Sequence, residues 1–379
     1  MKSWRRDIHA HPELGFQEQR TAKIVADLLT EWGIEIETGI GGTGVVGKLT
    51  NGSSQRAIGL RADMDALPMQ ELNEFPHKST VDGVFHGCGH DGHTTMLLGA
   101  AKHLAENRNF DGTVYFVFQP AEEGLGGALA MMEDGLFERF PMDEIYGLHN
   151  FPSIPVGSFA ITPGPMMAAF ATFDINVRGV GGHGAIPQHC VDPVVVAAAL
   201  MQNIQTVISR NIDPLKTGVI SITKIHGGDA YNVIPNEVTL SGGIRYFEKD
   251  VGATIKQRLY ELAEGIGKAY NANIDIDVNE NFIALVNDNN ATEKAVSVAR
   301  SIAGVEQVEP QMQPICGSED FAFFLEKKAG AYIFLGNGDG EGGCMIHHPE
   351  YDFNDDAAVY GASYWVALVQ QLLATGTGR

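Results

Sequence analysis

The sequence has few cysteines, and none of them belongs to a C-x-x-C pair. Cys88, Cys190, Cys316 and Cys344 are the four cysteines of a 379-residue chain. They are too sparse and too widely spaced for a disulfide framework, and their pattern favours a reducing compartment. We therefore expect a cytoplasmic location, and we interpret Cys190, Cys316 and Cys344 as packing residues.

The chain also lacks long apolar runs. The longest, residues 194–201, has eight residues, whereas a helix that spans a membrane needs about 20. The first residues, "MKSWRRDIHAHPEL", include basic side chains but no apolar segment after them, so no signal peptide is predicted. We expect no membrane partner.

Positive charge is scarce. The chain has 26 Lys and Arg against 47 Asp and Glu, which gives a net charge of −21. A surface this acidic repels phosphate backbones, so we expect no nucleic-acid partner. Hydrophobic residues make up 44% and charged residues 19%, as in ordinary globular proteins, and the length suggests two domains.

Helix and strand patterns alternate through the first part of the chain. The segments "TAKIVADLLTEWG" and "TTMLLGAAKHLAEN" carry apolar residues at helical spacing. The segments "GVVGKL", "AIGLRADMDAL" and "GTVYFVF" predict strands. The last of these is apolar on both faces, as in a sheet covered on both sides. This order predicts an α/β domain in which helices sandwich a mostly parallel sheet.

A different order begins at about residue 168. The strand "FATFDINVRG" is followed by a helix, two strands, a long helix and the strand "ANIDIDVNEN". The order β-α-β-β-α-β is that of the split-βαβ, ferredoxin-like fold, which belongs to the α+β class. We predict that residues 168–281 form an inserted domain, and that 1–167 and 282–379 together form the domain that surrounds the insertion.

Side chains able to bind metal follow the predicted strands. These are Asp63 and Asp65, Glu122 and Glu123, His149, His347 and His348, together with Cys88 and His90 in a glycine-flanked loop before a helix. The carboxyl ends of parallel strands meet at one edge of a sheet, so the architecture brings these segments together. Thiolate and imidazole suit zinc, nickel, cobalt or iron, and the carboxylates extend the choice to manganese.

Each of these motifs is weak by itself. A pair of adjacent glutamates is usually solvated surface, and His93 and His348 fit a supporting or a purely structural role equally well. If a metal is present, Glu122 and Glu123 allow one carboxylate to bind it while the other takes a proton from water, which is the chemistry of amide hydrolysis. Cys88 could instead be a nucleophile with a histidine base, but the two glutamates would then have no clear role.

The motifs together resemble a known family. The segments "IHAHPELGFQE", "RADMDALP", "GCGHDGHTTMLLGAA", "QPAEEG", "GLHN", "GGHGAIP", "AYNVIPNEV", "GSEDF" and "HHPEYDFND" occur in order over nearly the whole chain. They are similar to the M20 metallopeptidase-like amidohydrolases, in the branch of hippurate hydrolases, N-acyl-amino-acid amidohydrolases and auxin-conjugate hydrolases.

The resemblance implies a zinc-peptidase-like catalytic domain with two divalent metal ions, whether Zn, Mn, Ni or Co. The implied ligands are Cys88, His90, Glu123, His149 and His347. Glu122 is implied as the general base. Asp63 stands where better-known relatives have a ligand histidine, and Cys88 looks like its substitute. Asp65 matches an orienting aspartate of those relatives.

The resemblance also implies that the inserted domain serves as a lid and forms a homodimer. In it, His183 would reach a substrate carbonyl oxygen, often in the partner's site. Asn232 and Arg245 would bind a carboxylate.

The expected function is that of a dinuclear metal-dependent amidohydrolase that cleaves N-acyl amino acids, such as N-acetyl- or N-benzoyl-amino acids, into a carboxylic acid and a free amino acid. A dipeptidase or carboxypeptidase on the same scaffold is the alternative. A catalytically inactive metal-binding interaction protein is a more distant one.

Overall fold

A computed structural model describes residues 1–338 and 344–375, and the chain divides into two compact units. The first unit comprises Met1–Met166, Val286–Gln313 and Asp320–Arg379, and the second comprises Met167–Leu285 and Pro314–Glu319. The short segment 314–319 thus belongs to the second unit, whereas the sequence analysis leaves it in the first.

The α-helices are α1 (Lys2–Ala10), α2 (Gln19–Glu31), α3 (His90–Glu106), α4 (Gly127–Glu133), α5 (Leu136–Arg139), α6 (Pro193–Asn211), α7 (Lys249–Tyr270), α8 (Asn289–Ala303), α9 (Phe321–Leu325) and α10 (Ala358–Leu372). None of the helices within the described residues is both long enough and apolar enough to cross a membrane.

The strands are β1 (Glu35–Ile40), β2 (Gly44–Asn51), β3 (Ala57–Asp63), β4 (Gly112–Gln119), β5 (Glu144–Pro152), β6 (Phe159–Ala160), β7 (Gly164–Met167), β8 (Ala169–Arg178), β9 (Gly182–His183), β10 (Gly218–His226), β11 (Val233–Ile234), β12 (Glu237–Tyr246), β13 (Asn273–Phe282), β14 (Leu285–Asn287), β15 (Val308–Glu309) and β16 (Ala329–Gly338).

The first unit is built on an eight-stranded sheet with the order β1-β2-β4-β3-β5-β16-β6-β15. Its centre is parallel, because β3 pairs in parallel with β4 and β5, and β5 pairs in parallel with β16. Every residue of β3 is buried, as are 12 of the 17 residues of α3. The prediction of an α/β domain with a mostly parallel sheet is confirmed.

The second unit contains a four-stranded antiparallel sheet with the order β10-β12-β8-β13. Alternate residues of β8 are buried, and they join α6 and α7 in one core that includes Phe173, Leu200, Leu240 and Ile255. Because β12 lies between β8 and β10, the β8-α6-β10 connection is split. The predicted split-βαβ fold is confirmed.

Three local expectations need correction. The strand predicted to run to Leu67 ends at Asp63. The helix predicted after His90 begins at His90, because Gly89 takes a left-handed conformation (φ 91°) directly before it. The first turn of α3 is polar and buried, so apolar periodicity does not reveal it. Cys316 is exposed and Cys190 and Cys344 are half-buried, so these three are not core packing residues.

Two glycines of α7 give opposite predictions for substitution by alanine. A Cβ atom at Gly252 would lie 2.4 Å from the buried ring of Tyr246, whereas a Cβ at exposed Gly265 would meet no atom within 4 Å. Gly265→Ala should raise the free energy of unfolding by about 0.5–1 kcal/mol, because alanine loses less backbone entropy in a helix. Gly252→Ala should lower it by about 1–3 kcal/mol through overpacking. Urea unfolding of both variants tests the packing of this unit, and equal effects would contradict it.

Candidate metal centre

The carboxyl ends of the central strands place acidic side chains at one edge of the first unit's sheet. Asp63 is the last residue of β3 and lies in register with Gln119, the last residue of β4. Glu122 and Glu123 follow β4 three and four residues later, and His149 lies on β5. The arrangement is that of an open α/β sheet, in which strand ends form the binding site.

Cys88, His90 and His149 form a buried group, and one ligand atom of each lies within 4.8 Å of the others. The Cys88 Sγ atom is 3.4 Å from His149 Nε2. The Nδ1 atom of His149 is 2.5 Å from the carbonyl oxygen of Asn150. Nδ1 therefore carries the ring proton and donates a hydrogen bond to that oxygen. The lone pair of Nε2 is then directed toward the thiol.

Glu123 and His347 adjoin this group. The Oε1 atom of Glu123 lies 3.2 Å from Nε2 of His347 and 4.0 Å from Nε2 of His90. Ligand atoms of Cys88, Glu123 and His347 also lie within 4.8 Å of one another, as do those of His90, Glu122 and Glu123. The structure therefore brings the five residues suggested as ligands into overlapping groups, with Glu122 among them.

Asp65 orients two members of the cluster. Its Oδ1 atom is 3.2 Å from Nδ1 of His90, and its Oδ2 atom accepts a hydrogen bond from the backbone N–H of Glu123 at 3.0 Å. The other nitrogen of His90 is thereby held toward the cluster. A carboxylate behind a histidine is a recurrent support of metal ligands, and Asp65 has the position of such an orienting group.

Among the described residues, His90 Nε2 and Glu123 Oε1 are buried and make no hydrogen bond, and the nearest cation-forming group to Glu123 Oε1 is the His347 ring at 3.2 Å. Burial disfavours a charge on His90, yet Asp63 and Asp65 nevertheless raise its pKa to about 10. Burial and the charges of Glu123 and Glu122 raise the pKa of the Cys88 thiol well above its ordinary value. The surroundings thus favour positive charge, and a divalent cation fits the donor set and these two atoms.

Asp63 is engaged by other side chains. Its Oδ1 atom accepts a hydrogen bond from Nδ1 of His93 at 2.6 Å, and its Oδ2 atom accepts one from Nη1 of Arg61 at 2.7 Å. Nε2 of His93 in turn accepts a hydrogen bond from the backbone N–H of Asn150 at 2.9 Å. Both nitrogens of His93 are therefore used, and His93 supports the cluster from behind.

Arg61 is a functional residue that the sequence analysis missed. It is 1% exposed, and it also donates from Nε to Gln119 at 2.8 Å and from Nη2 to Asp320 at 3.1 Å. The backbone N–H of Asp320 donates to Oε1 of Glu122 at 3.3 Å. One buried guanidinium therefore connects the ends of β3 and β4 with the residue next to α9. The only sequence signal was an arginine inside a strand that reads as fully buried.

The segment of residues 86–93, which contains Cys88 and His90, contacts two parts of the first unit. Asp91, next to His90, accepts a hydrogen bond from Nδ1 of His9 at 2.8 Å and forms an ion pair with Nε of Arg5 at 3.0 Å. His86 is also buried, and burial lowers its pKa to about 4, so it is neutral. The segment therefore contributes Cys88 and His90 to the cluster, and Asp91 connects it to α1.

Three of the predicted site residues belong to the second unit. His183, in β9, pairs with Val233 of β11, and the backbone N–H of Gly184 donates to the carbonyl oxygen of Asn232 at 2.9 Å. His183 and Asn232 therefore lie on adjacent backbone segments, and both side chains are exposed.

Arg245 occupies a different part of that unit, on β12. Its Nη1 atom donates to Oγ of Ser318 at 2.6 Å and to the carbonyl oxygen of Cys316 at 3.1 Å. The guanidinium lies 3.8 Å from the centre of the Phe170 ring, which fixes it by a cation–π contact. Partial burial lowers its pKa, but arginine remains charged at any physiological pH.

Comparison with known proteins identifies the family. Peptidase family M20/M25/M40 matches residues 59–371. The chain belongs to this family. The resemblance inferred from the motifs is therefore confirmed.

Relatives align over nearly the full length. The hippurate hydrolase of Campylobacter jejuni is 44% identical over 371 residues, which cover 97% of this chain and 95% of that protein. Thermostable carboxypeptidase 2 of Saccharolobus solfataricus is 39% identical, with coverage of 94% and 91%. The crystal structure of a dinuclear metal-binding M20 peptidase from Bacillus subtilis is similar with a TM-score of 0.85 at 32% identity, and covers 99% of this chain and 98% of that one.

The two hydrogen bonds of Asp65 predict the effect of replacing it by asparagine. In Asp65→Asn a single oxygen remains as acceptor, so either the Nδ1–H of His90 or the N–H of Glu123 loses its partner. Metal affinity should fall about 10–100-fold, measured by competition with a chelator. Asp111→Asn is the matched control, because Asp111 also accepts two backbone N–H groups, those of Ser53 and Ser54, at an exposed loop. Equal affinity in the two variants would refute the orienting role.

Proposed function

We propose that this chain is a dinuclear metal-dependent amidohydrolase that cleaves N-acyl amino acids to a carboxylic acid and a free amino acid. The observation that supports it most directly is the buried group of thiol, imidazole and carboxylate atoms beside Glu122. The relative named hippurate hydrolase supports an N-acyl amino acid as substrate.

Cys88, His90, Glu123, His149 and His347 would hold two divalent ions, whether Zn, Mn, Ni or Co. The atoms His90 Nε2 and Glu123 Oε1, which make no hydrogen bond among the described residues, are accounted for by such ions. When bound, ions of this kind polarise an acyl carbonyl and lower the pKa of a water molecule. Asp65 and the carbonyl oxygen of Asn150 fix the imidazoles so that their free nitrogens face the cluster.

Glu122 would act as the general base. It is 6% exposed, and the backbone N–H of Asp320 donates to its Oε1 atom. Its carboxylate lies beside the ligand atoms of His90 and Glu123. From there it would accept a proton from the attacking water and later deliver it to the leaving nitrogen, as a positioned carboxylate does in general acid–base catalysis.

The second unit would supply the substrate contacts. His183 would donate a hydrogen bond to the oxygen that becomes negative in the transition state, a role that contributes about 10²–10³ in rate for one donor. Arg245, with Asn232, would bind the carboxylate of the amino-acid part, since a guanidinium offers paired donors to a carboxylate.

The similarity to a thermostable carboxypeptidase favours a second candidate function, the removal of an amino acid from the carboxyl end of a peptide. The same residues would serve that reaction, and the two candidates differ in the acyl part of the substrate. A nucleophilic Cys88 fits the surroundings less well. Burial and the charges of Glu123 and Glu122 raise the pKa of its thiol, and a nucleophile requires the thiolate.

We further propose a homodimer formed through the second unit. The edge strand β10 of its sheet carries exposed Val219 and Ile225, and an exposed sheet edge is a site for pairing with another chain. A cytoplasmic location, and the lack of nucleic-acid and membrane partners, remain predictions.

The general base is tested by Glu122→Gln. The amide keeps the shape of the side chain but cannot accept the proton, so kcat should fall about 10²–10⁴-fold while two equivalents of metal remain bound. The assay uses N-acetyl-, N-benzoyl- and dipeptide substrates with Zn, Mn, Co or Ni, and chelator should abolish wild-type activity reversibly. Glu133→Gln, at the end of α4, is the control. Activity of Glu122→Gln within tenfold of wild type would overturn the assignment, and a preference for dipeptides would favour the carboxypeptidase.

The role of His183 is tested by mixing inactive subunits. His183→Ala should lower kcat about 10²–10³-fold with little change in metal content or KM, because the lost hydrogen bond forms in the transition state. If His183 acts in the partner's site, a mixed dimer of His183→Ala and Glu122→Gln subunits has one site with both groups, and mixing restores part of the activity. The absence of restoration in proven mixed dimers would indicate that His183 acts within its own chain.

A further inference from the structure

The chain takes an unfavourable conformation directly before Glu122. Ala121 has φ 53°, in the left-handed region that side chains other than glycine rarely occupy. It is fully buried. Such a conformation persists only where surrounding contacts impose it, and strained residues of this kind concentrate at functional sites.

A buried carboxylate supplies one of those contacts. Oε1 of Glu18 accepts a hydrogen bond from the backbone N–H of Ala121 at 2.8 Å, and Oε2 accepts one from Oγ1 of Thr43 at 2.5 Å. Glu18 is 0% exposed. Burial of a carboxyl group is costly unless its oxygens are bonded, and both oxygens of Glu18 are.

The rest of the turn is enclosed as well. The carbonyl oxygen of Ala121 accepts a hydrogen bond from the N–H of Gly127 at 3.0 Å. Gly15 approaches from the N-terminal segment so closely that a Cβ atom there would lie 3.0 Å from the Cα of Ala121. Both polar groups of the Ala121 backbone are therefore fixed, one by Glu18 and the other by the start of α4.

Different carboxylates hold the backbone on the two sides of Glu122. The backbone N–H of Glu123 is held by Asp65, the residue that also orients His90. Glu18 instead holds the residue on the other side of Glu122. Loss of Asp65 thus acts on metal ligands, whereas loss of Glu18 acts on the turn that directs Glu122.

We propose that Glu18 is a positioning residue that sets the direction of the Glu122 carboxylate. The proposal rests on the role of Glu122 as general base. Burial raises the pKa of Glu18, but the protonated and the ionised carboxyl group both keep an oxygen that accepts the Ala121 N–H. The amide of glutamine keeps such an oxygen too, and its NH₂ group can donate to Thr43.

The first test compares three variants of the metal-loaded enzyme. Glu18→Ala should lower kcat by on the order of 10²-fold, the effect of displacing a reacting group by about 1 Å, with KM and metal content unchanged. Glu18→Gln should stay near wild type. Glu13→Ala is the matched control, because Glu13 also accepts backbone N–H groups, those of Arg20 and Thr21. Its kcat should be unchanged.

The second test removes the strain. Glycine adopts a positive φ without steric cost. The double variant Glu18→Ala/Ala121→Gly should therefore have a higher kcat than Glu18→Ala alone. If Glu18→Ala does not fold, Thr43→Val serves in its place. It leaves the carboxylate but removes one of its two bonds, and it should lower kcat several-fold while Thr43→Ser retains the wild-type value.

Hydrogen exchange of the Ala121 amide gives a readout that does not depend on activity. In Glu18→Ala this amide should exchange faster than in wild type. If it does so while kcat is unchanged and Glu122→Gln is inactive, the positioning role is overturned and the proposed function stands. A loss of metal in Glu18→Ala would also overturn it, since the effect would then be on the ligands. An active Glu122→Gln would overturn the proposed function itself, whatever Glu18 does.

Discussion

Buried negative charge at the strand ends is the constraint on which the rest of the first unit depends. Asp63, Asp65 and Asp320 are each at most 1% exposed, and Glu122 is 6% exposed. Unpaired charges in such surroundings would cost several kcal/mol each. Arg61 neutralises part of this charge, since it bonds Asp63 and Asp320 together. The carboxylates around His90 leave a further demand for positive charge, which the proposed metal ions would meet.

Hydrogen bonds to the backbone keep the cluster in place although its segments are far apart in sequence. The side-chain amide of Asn150 donates to the carbonyl oxygen of Cys88 at 2.7 Å, and the hydroxyl of Tyr351 donates to Asn150. The loop of Cys88, the strand of His149 and the segment after His347 are joined at this one asparagine. Ligands whose orientation is fixed before binding lose little entropy when a metal binds, so such support strengthens a metal site.

Apolar periodicity was sufficient to predict the α/β class of the first unit and the β-α-β-β-α-β order of the second, and the rule for parallel strand ends led us to expect Asp65, Glu122 and His149 near one another. The same reasoning could not find Arg61 or Glu18. Their partners, Asp320 and Ala121, are 259 and 103 residues away, and such pairings leave no local pattern. The positive φ of Ala121 could not be predicted either, because tertiary contacts impose this conformation and the intrinsic preference of alanine does not favour it. The start of α3 was missed because its first turn is polar.

The bonds of Asp63 bear on why a cysteine lies in the cluster. The resemblance implies a ligand histidine at position 63 in better-known relatives, but the oxygens of Asp63 accept hydrogen bonds from His93 and Arg61 here. Asp63 therefore pairs with its neighbours, and in the proposed centre Cys88 would supply a donor atom instead. A thiolate is a softer ligand than a carboxylate or imidazole, and it favours zinc, nickel or cobalt over magnesium or calcium. Burial and the charges of Glu123 and Glu122 raise the pKa of the Cys88 thiol, whereas a bound cation would lower it. The carboxylates that disfavour the thiolate would therefore also attract the cation that stabilises it.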